Sequence, residues 1–552
     1  MPHRAQILVL VLAGLFLFAL FSPEIYDTDF WWHLRTGRYI AETRTLPVPD
    51  PFAWTTAGAR ESYPGEARTR QFNLTHEWLA QLLLYQAWRA GGFAGIVALR
   101  ALSMTAVCAL VGWVAWRRRK SFWGAVSASL AAASLLVILA LDRPYQWTFL
   151  FLAIVFALLE NRRRLWLLPP LFLIWANCHS GYFLGWIVLG AHCAESLVRR
   201  ERALRLWLVT AACIAASAIN PNAFAVFLAL LDYRKSFLQS KLLEWTPPPL
   251  WPPSWFPVLL FAAAAVLAWQ WRKVRISDWL IFLAFGAASL SAQRNVFLTA
   301  LIAPVLIAAY LPWKLRLPAA VPPLAALAIA GLLAPAALRG GLQFRVAEWR
   351  FPSGAADFLL RHRVTGRLFN TYEYGGYLIW RLWPQERVFI DGRALSESVF
   401  QDYARILYNH DESDGLPGGE AIMDRYAIDI ILMNTFEPSG GTVYLLAPSL
   451  ADPNQARWKL VYQDPQSIVL MRHPPPGVEA LHSLDIFTHM ETECGLHISH
   501  EPQFTRCARS LGQIFARIGD YPRARQWVGT YLQHPHPPDP QAEEAWQHLQ
   551  GM

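Results

Sequence analysis

QILVLVLAGLFLFALFS, residues 6–22, is the first of the long apolar stretches that decide the fold class. A membrane-spanning helix needs about 20 mostly apolar residues, with a range near 17 to 25. Ser22, Pro23 and Glu24 follow directly, without a convincing small-residue cleavage site. The stretch therefore predicts a retained first transmembrane helix and not a signal peptide that is removed.

Further apolar stretches of similar length fill the chain as far as residue 337. They are 92–115, 121–141, 145–160, 165–178, 180–198, 203–219, 256–271, 277–292, 295–313 and 317–337. Together with residues 6–22 they predict a polytopic bundle of about eleven transmembrane helices. A broken helical hairpin over 165–198 is the alternative for that part of the bundle.

The composition changes along the chain, and this change predicts the domains. Of 552 residues, 54% are hydrophobic and only 16% are charged, whereas soluble domains carry about 25% charged residues. The shortage of charge is confined to the residues before Arg339, where the long apolar runs end. We therefore predict a membrane domain over 1–339 with a long first external loop at 23–91. An α/β domain over 340–490 and a helical, tetratricopeptide-like tail over 491–552 follow it.

The net charge of +9 lies mostly in short basic runs between the apolar stretches. These runs are Arg117–Lys120, Arg162–Arg164, Arg199 with Arg200 and Arg202, Arg272 with Lys273 and Arg275, and Lys314 with Arg316. Lysine and arginine concentrate in cytoplasmic loops, and a cytoplasmic N-terminus places every run on that side. The charge thus indicates topology and not a nucleic-acid partner. It predicts a multi-pass protein of the inner or plasma membrane, with an extracytoplasmic C-terminal region.

That C-terminal region alternates strand-like and helix-like runs, which predicts a small α/β domain. Short apolar runs predict buried strands at 387–390, 430–433 and 467–471. Residues 511–532, with Gly519-Asp520-Tyr521 at a turn, resemble one tetratricopeptide-type helix pair. Cys494 and Cys507 are able to pair in an oxidising compartment, and the sequence leaves their state open.

The most informative segment for function is YDTDFWWHLRTGRYI, residues 26–40, directly after the first apolar stretch. It places two carboxylates, Asp27 and Asp29, with aromatic residues and a histidine at the predicted outer membrane surface. Acidic groups at that depth are costly unless they are paired, solvated or bound to a metal, so they are candidates for function. The alternative is an interfacial aromatic belt whose acids face water.

This segment resembles the first external loop of the GT-C superfamily of membrane glycosyltransferases, particularly the catalytic subunit of oligosaccharyltransferases. That family places an acid before two aromatic residues, His or Asn, Leu or Tyr, and Arg. Asp27 or Asp29, followed by Trp31-Trp32-His33-Leu34-Arg35, is similar to this pattern. The downstream stretch Leu46–Phe52 also resembles the continuation of the family's loop.

A second segment, Phe369–Ile379 with Val388–Arg393, resembles the region around the Trp-Trp-Asp-Tyr-Gly motif of that subunit. In the family this motif recognises the acceptor peptide. Here the paired tryptophans are absent and the acid is Glu373, followed by Tyr374. A helix start with a close-packed turn is the alternative for this segment, and the acceptor is left open among glycan, lipid and protein.

The resemblance implies transfer of a sugar from a polyprenyl-phosphate-linked donor on the non-cytoplasmic face. Asp27 or Asp29 would be the general base for an inverting displacement. The leaving phosphate needs a cation, either an arginine, for which we select Arg294, or a divalent metal. Mg²⁺ or Mn²⁺ on Asp29 and Asp142 is the metal alternative. His33, Arg35, His179, Glu373 and Tyr374 are the candidates for lining the cavity or contacting the acceptor.

Each of these residues also has a plainer interpretation. Arg294 is equally typical of an arginine that reaches the membrane interface, and Asp142 of a helix-end pair with Arg143. His179 also fits a hydrogen-bonded histidine between two helices, and His76-Glu77 and Glu244-Trp245 fit surface anchors. The alternative for the whole protein is a non-catalytic scaffold or transport protein of the membrane. Transport favours ionisable residues in mid-helix, whereas the acids here lie at predicted outer ends.

Overall fold

A computed structural model describes residues 2–57, 59–238, 243–311, 320–413 and 415–551. The chain forms two compact units. The first unit is Met1–Val48 with Tyr63–Val346, and the second is Pro49–Ser62 with Ala347–Met552. Lys314 and Arg316, and the predicted helix limits between 312 and 319, lie outside the described residues.

The regular secondary structure described in the first unit consists of helices. Its described helices are α1 (His3–Leu20), α2 (Phe30–Thr43), α3 (Glu66–Thr75), α4 (Trp78–Arg119), α5 (Phe122–Leu136), α6 (Tyr145–Asn161), α7 (Leu168–Cys178), α8 (Phe183–Val198), α9 (Leu204–Ser217), α10 (Ala225–Tyr233), α11 (Trp255–Trp269), α12 (Ile276–Ser291), α13 (Val296–Tyr310) and α14 (Val321–Gly340). Short 3₁₀ turns join several of them, as at Ser180–Tyr182 and Gln293–Asn295.

Length and composition identify this unit as a membrane domain. Among the described helical segments, six are long and apolar enough to cross a membrane, and five more are apolar but shorter, at 10–17 residues. Large apolar side chains are exposed on their outer faces, such as Leu338 at 84% and Leu332 at 67%. A patch of that kind is ordinary in lipid and a liability in water. The chain is thus an integral membrane protein, while the number of about eleven crossings stays a prediction.

Helix α4 has a break that the sequence locates. Gly91 and Gly92 have non-helical backbone angles, and Gly92 adopts a φ of 58° with a ψ of −148°. Glycine adopts such a conformation readily because it lacks a Cβ. The part of α4 before Gly91 and the predicted spanning helix from residue 92 therefore meet in one bent helix.

The second unit is built on a four-stranded sheet with helices around it. Its elements are α15 (Ser353–Arg361), β1 (Leu368–Asn370), α16 (Tyr372–Leu382), α17 (Glu397–Leu407), α18 (Gly419–Arg425), β2 (Ile430–Met433), α19 (Leu446–Leu450), β3 (Lys459–Gln463), β4 (Ile468–Met471), α20 (Asp485–His500), α21 (Arg506–Arg517), α22 (Tyr521–Gln533) and α23 (Pro540–Gln550). The strand order is β1-β2-β4-β3, with β1 and β2 parallel and the other pairs antiparallel.

Two predicted strands are confirmed and one is wrong. Strands β2 and β4 correspond to the predicted strands at 430–433 and 467–471. Residues 387–390 form no strand, since Val388 makes only an isolated bridge to Ala53. The chain leaves the first unit at Val48, contributes Pro49–Ser62 to the second unit and then returns. The predicted strand is wrong because the pairing with Ala53 is limited to this single bridge.

The predicted close-packed turn at Gly375 is confirmed. A Cβ on Gly375 would lie 2.1 Å from the carbonyl oxygen of Ile390, so only glycine fits this start of α16. Helices α21 and α22 form the predicted pair, and Cys494 is bonded to Cys507. Likeness of the pair to a tetratricopeptide repeat stays a prediction.

Candidate active site

The two acids of the first external loop share one arginine. Asp27 and Asp29 lie between α1 and α2, and Arg143 lies just before α6. The Nε and Nη2 atoms of Arg143 donate to the two carboxylate oxygens of Asp27, each over 2.6 Å. Its Nη1 atom lies 2.9 Å from Oδ2 of Asp29. One guanidinium therefore neutralises much of the charge of both acids.

The two carboxyls have different proton affinities. Burial alone would raise the pKa of Asp27, but the Arg143 guanidinium opposes it and lowers the pKa below its ordinary value. Burial raises the pKa of Asp29 to about 6, with Arg143 opposing and the charge of Asp27 adding to the rise. Asp27 is thus a fixed anion, while Asp29 exchanges its proton near neutral pH.

Asp142, a neighbour of Arg143 in the chain, has a separate partner. Its Oδ2 atom accepts a hydrogen bond from Nη1 of Arg100, and both side chains are almost fully buried. The Nε atom of Arg100 also donates to the carbonyl oxygen of Phe21, over 3.1 Å. Asp142 and Arg100 thus connect the end of α1, helix α4 and the start of α6. These contacts indicate a structural role for the pair.

A second carboxylate lies among three histidines. Glu77, directly before α4, has its carboxylate oxygens 3.2 Å from His76, 3.7 Å from His33 and 3.7 Å from His179. Burial lowers the pKa of His33 and of His179 to about 3, so both are neutral at physiological pH. The sequence interpretation of His76-Glu77 as a surface anchor is wrong, because Glu77 is only 8% exposed.

The tautomer of His179 follows from its neighbours. Its Nδ1 atom accepts from the backbone N–H of Gly181, over 3.0 Å, and lies 2.8 Å from the hydroxyl of Thr148. The contact from Gly181 requires an unprotonated Nδ1, because a backbone N–H only donates, so the proton is on Nε2, which faces Glu77. This is the hydrogen-bonded histidine between two helices that the sequence offered as an alternative.

Arg294 lies in the 3₁₀ turn between α12 and α13. Its Nη1 atom is 3.2 Å from Glu244, and its guanidinium lies over the ring of Trp245 at 4.5 Å. The pair is partly exposed, with side-chain exposures of 35% and 44%. Arg294 is also near enough to contribute to the lowered pKa of His179. These contacts bring Arg294 to the end of the bundle where the histidine cluster lies.

Comparisons with known proteins identify solved structures of similar fold. No protein-family model matches the chain, and no curated protein matches it. Among solved structures, the oligosaccharyltransferase of Archaeoglobus fulgidus in its apo form is similar, with a TM-score of 0.56 and 11% identity over 86% of this chain and 75% of that one. The chain has a GT-C-like fold.

Two further solved structures are similar to this GT-C-like chain. AglB from Archaeoglobus fulgidus, in complex with an inhibitory peptide and a dolichol-phosphate, has a TM-score of 0.53 and 11% identity, over 87% of this chain and 77% of that one. ArnT from Cupriavidus metallidurans in the apo state has a TM-score of 0.49 and 13% identity, covering 86% and 99%. The TM-scores of the two archaeal structures indicate a shared fold, whereas identities of 11% leave the reaction open.

The remaining residues of the predicted site are dispersed. Arg35 is buried in α2, and burial lowers its pKa to about 10. Glu373 and Tyr374 belong to the second unit, at the start of α16. Glu373 accepts a hydrogen bond from the hydroxyl of Tyr444, over 3.1 Å, and the hydroxyl of Tyr374 donates to the carbonyl oxygen of Gln466.

Sequence reasoning gave Arg143 no role beyond a local pair, although it contacts both loop acids. A weak signal was present, because Arg143 and Arg294 lie in short predicted external connections, whereas the basic runs fall on the opposite side. Glu77 had no comparable signal, since His33 and His179 are distant from it in the chain.

The side chains around Asp29 do not fit the predicted divalent metal site. Asp27 and Asp29 both contact the guanidinium of Arg143, and Asp142 contacts that of Arg100. A metal ion would have to displace an arginine from each acid. Among the described residues, no group of three or more His, Cys, Asp and Glu side chains is arranged to hold a metal ion.

Proposed function

We propose that this protein is a membrane glycosyltransferase that transfers a sugar from a polyprenyl-phosphate-linked donor to an acceptor on the non-cytoplasmic face. The assembly of Asp27, Asp29 and Arg143 in a GT-C-like fold is the observation that carries the proposal. The dolichol-phosphate held by the similar archaeal protein supports a lipid-linked donor. The basic runs support a cytoplasmic N-terminus and an extracytoplasmic second unit.

Asp29 is our choice for the general base. It makes one contact with Arg143 where Asp27 makes two, and its side chain is 17% exposed against 3% for Asp27. A pKa near 6 leaves it ionised at neutral pH and still basic enough to accept a proton. Asp27 then acts as a positioning residue that holds Arg143 in place.

The proposed displacement involves Asp29, an acceptor hydroxyl and the phosphate-linked sugar. Asp29 takes the proton of an acceptor hydroxyl. At the same time the oxygen of that hydroxyl forms a bond to the anomeric carbon of the sugar. The bond from that carbon to the phosphate oxygen breaks on the opposite side, and its electron pair leaves with the phosphate. The result is inversion at the anomeric carbon, as for other direct displacements.

The leaving phosphate needs positive charge, for which Arg294 is suited. Its ion pair with Glu244 is partly exposed, and such pairs contribute little free energy. The guanidinium is therefore able to exchange Glu244 for a phosphate, which it can bind through two parallel hydrogen bonds. We assign no step to a metal ion, because the acids that would bind one already contact arginines.

Neutral histidines complete the proposed cavity. His33 and His179 are buried beside Glu77, where they are able to hydrogen-bond sugar hydroxyls without adding charge. Contact of Arg35, Glu373 and Tyr374 with the acceptor stays a prediction. The acceptor class also stays open among glycan, lipid and protein.

The test is sugar transfer from a panel of polyprenyl-phosphate sugars by the purified full chain. Asp29→Asn should lower kcat by about 10²- to 10⁴-fold, the range typical of a lost general base. Glu42→Gln is the matched control, since Glu42 forms an exposed pair with Arg38 on α2. Transfer by Asp29→Asn at the wild-type rate would refute the assignment of the base.

The function itself is open to refutation by the same panel. If folded wild-type protein transfers no sugar from any polyprenyl-linked donor to glycan, lipid or peptide acceptors, the transferase proposal fails. The scaffold or transport alternative would then be favoured. Thermal unfolding of each variant shows whether a loss of transfer reflects a loss of fold.

A further inference from the structure

The second unit contains a large groove apart from the residues discussed so far. Its volume is about 930 Å³. It is lined by residues of the segment 49–62, by the chain around Gly366 and Pro384, and by helices α17 and α18. All of these belong to the second unit. The groove is of the size that binds a small ligand.

Arginines dominate the charge of this groove. Arg60, Arg367, Arg387 and Arg425 line it, against the two carboxyls of Glu386 and Asp402. Asp402 is already engaged, because its Oδ2 atom contacts Arg425 over 2.6 Å and accepts from the hydroxyl of Tyr426. Burial raises the pKa of Glu386 to about 7, which reduces its negative charge at neutral pH. The groove is thus positively charged.

Two of the four arginines have no side-chain partner in the described part of the chain. Among the described residues, Arg60 and Arg387 make no hydrogen bond or ion pair, and both are exposed. Arg367 lies over the ring of Trp54 at 5.4 Å and donates to the carbonyl oxygen of Tyr426. The groove therefore presents two free guanidinium groups beside a third that is fixed on an aromatic ring.

The other lining groups are suited to hydroxyl-rich ligands. Gln385 and Ser398 offer side-chain donors and acceptors in addition to the arginine N–H groups. Trp54 is fixed in the wall, since its indole N–H donates to the carbonyl oxygen of Leu368 over 3.2 Å. Sugars present alternating hydroxyls and small apolar faces, whereas an acidic peptide offers few hydroxyls. A guanidinium binds carboxylate or phosphate groups through parallel hydrogen bonds.

We propose that this groove is a binding site for an anionic oligosaccharide that carries carboxylate or phosphate groups. Arg60 and Arg387 bind the anionic groups, and the polar residues between them bind hydroxyls. That the ligand is a saccharide rests on the proposed glycosyltransferase function, whereas the preference for an anion rests on the groove alone. The site recognises the acceptor or product glycan and takes no part in the displacement.

The test is equilibrium binding to the full chain in detergent, without any sugar donor. The probes are an oligogalacturonate, its methyl-esterified neutral form, a phosphorylated oligomannose and an oligoglutamate of equal charge. We expect either anionic saccharide to bind, and the tighter one identifies the anion. The neutral saccharide and the oligoglutamate should bind at least about tenfold more weakly.

The variants locate the site. The double substitution Arg60→Gln with Arg387→Gln should weaken binding of the anionic saccharide by about tenfold or more, since two charge-assisted contacts are lost. Arg517→Gln is the matched control, because Arg517 is an exposed arginine at the end of α21, away from the groove. It should bind as the wild type does. Both changes are on the surface, and thermal unfolding confirms that each variant is folded.

Several outcomes would overturn the proposal. Equal binding of the charged and the esterified saccharide would remove the role of charge, and equal binding of oligoglutamate would remove the preference for sugar. Unchanged binding by the double variant would place the ligand elsewhere. The binding assay contains no donor and is therefore independent of catalysis. Saccharide binding here, together with no sugar transfer in the separate donor panel, would keep this site and refute only the proposed enzyme activity.

Discussion

Arg143 contacts Asp27 through two nitrogen atoms, Nε and Nη2, and each lies 2.6 Å from a carboxylate oxygen. The Asp27 side chain is only 3% exposed. A paired contact of this kind fixes both groups in one plane, and it is stronger than a single hydrogen bond. Removing Arg143 leaves the charge of Asp27 buried without compensation, whereas Arg143 keeps its contact with Asp29 when Asp27 is removed. The contact therefore connects the loop after α1 to the start of α6 and places the third nitrogen of Arg143 at Asp29.

The first prediction concerns this contact. Arg143→Lys should lower the rate of transfer by about 10²-fold, because lysine cannot donate to Asp27 at two points and still reach Asp29. The check is kcat/KM of the purified variant, with Arg38→Gln in the exposed pair of α2 as the control. Full activity in Arg143→Lys would show that only the charge matters and not the geometry.

The second prediction is a pH profile. Asp29 acts as a base only when it is deprotonated, so kcat/KM should fall about tenfold per pH unit as the pH drops below its pKa of about 6. Above that value the rate should be level. The check is kcat/KM between pH 4.5 and 8, on protein that stays folded throughout the range.

Asp27→Asn provides the internal control for that profile. The negative charge of Asp27 raises the pKa of Asp29, so its removal should move the acidic limb to lower pH. A limb that stays in place, or that moves to higher pH, would mean that a different group controls the rate.

The fold was predictable where one local pattern decides it. Long apolar runs predicted the membrane helices, and short apolar runs predicted β2 and β4, because hydrophobic periodicity acts over a few residues. Strand β1, at Leu368–Asn370, has only three residues and no such pattern. The failed strand at Val388 depends on Ala53, and no local signal connects these positions.

The sequence supplied candidate site residues but not the contacts between them. Asp27 and Asp29 were selected because acids at a membrane surface are rare and costly. Their partner Arg143 is more than 100 residues away, so the sequence could not show that it contacts both. The same holds for Asp142, whose adjacent arginine is not its partner, since Arg100 takes that place.

The third prediction concerns metal ions. We expect EDTA treatment to leave the rate of transfer unchanged, because Arg143 already contacts both acids of the loop. Arg143→Ser should instead gain binding of Mn²⁺, since it leaves two buried carboxylates without a cation. Electron paramagnetic resonance of added Mn²⁺ measures this without any activity. If the wild type bound Mn²⁺ tightly and Asp29→Asn abolished that binding, the result would contradict our expectation and support the predicted metal site.

The fourth prediction concerns a buried ion network at the other end of α4. Arg118 contacts Glu160 over 2.9 Å and Asp278 over 2.8 Å. Arg118→Gln should destabilise the bundle by about 3–5 kcal/mol, because Asp278 would stay buried without its cation. Arg117→Gln, an exposed neighbour on the same helix, should change stability little.

Unfolding in detergent measures both variants. The decisive comparison adds Asp278→Asn to Arg118→Gln, which removes the unpaired charge and should recover part of the lost stability. A double variant as unstable as the sum of the two single changes would show that the network contributes no mutual stabilisation.

The fifth prediction concerns Glu373 in the second unit. Burial raises its pKa to about 7, against 4.5 for an unperturbed glutamate. The folded state thus holds a proton that the unfolded state releases, so this group lowers stability as pH rises from about 4.5 to about 7. The effect is on the order of 3 kcal/mol at pH 8.

Glu373→Gln keeps the shape of the side chain and cannot ionise. We expect it to raise the unfolding temperature of the second unit at pH 8 and to leave it nearly unchanged at pH 4.5. An equal effect at both pH values would show that packing, and not the buried charge, decides the stability at this position.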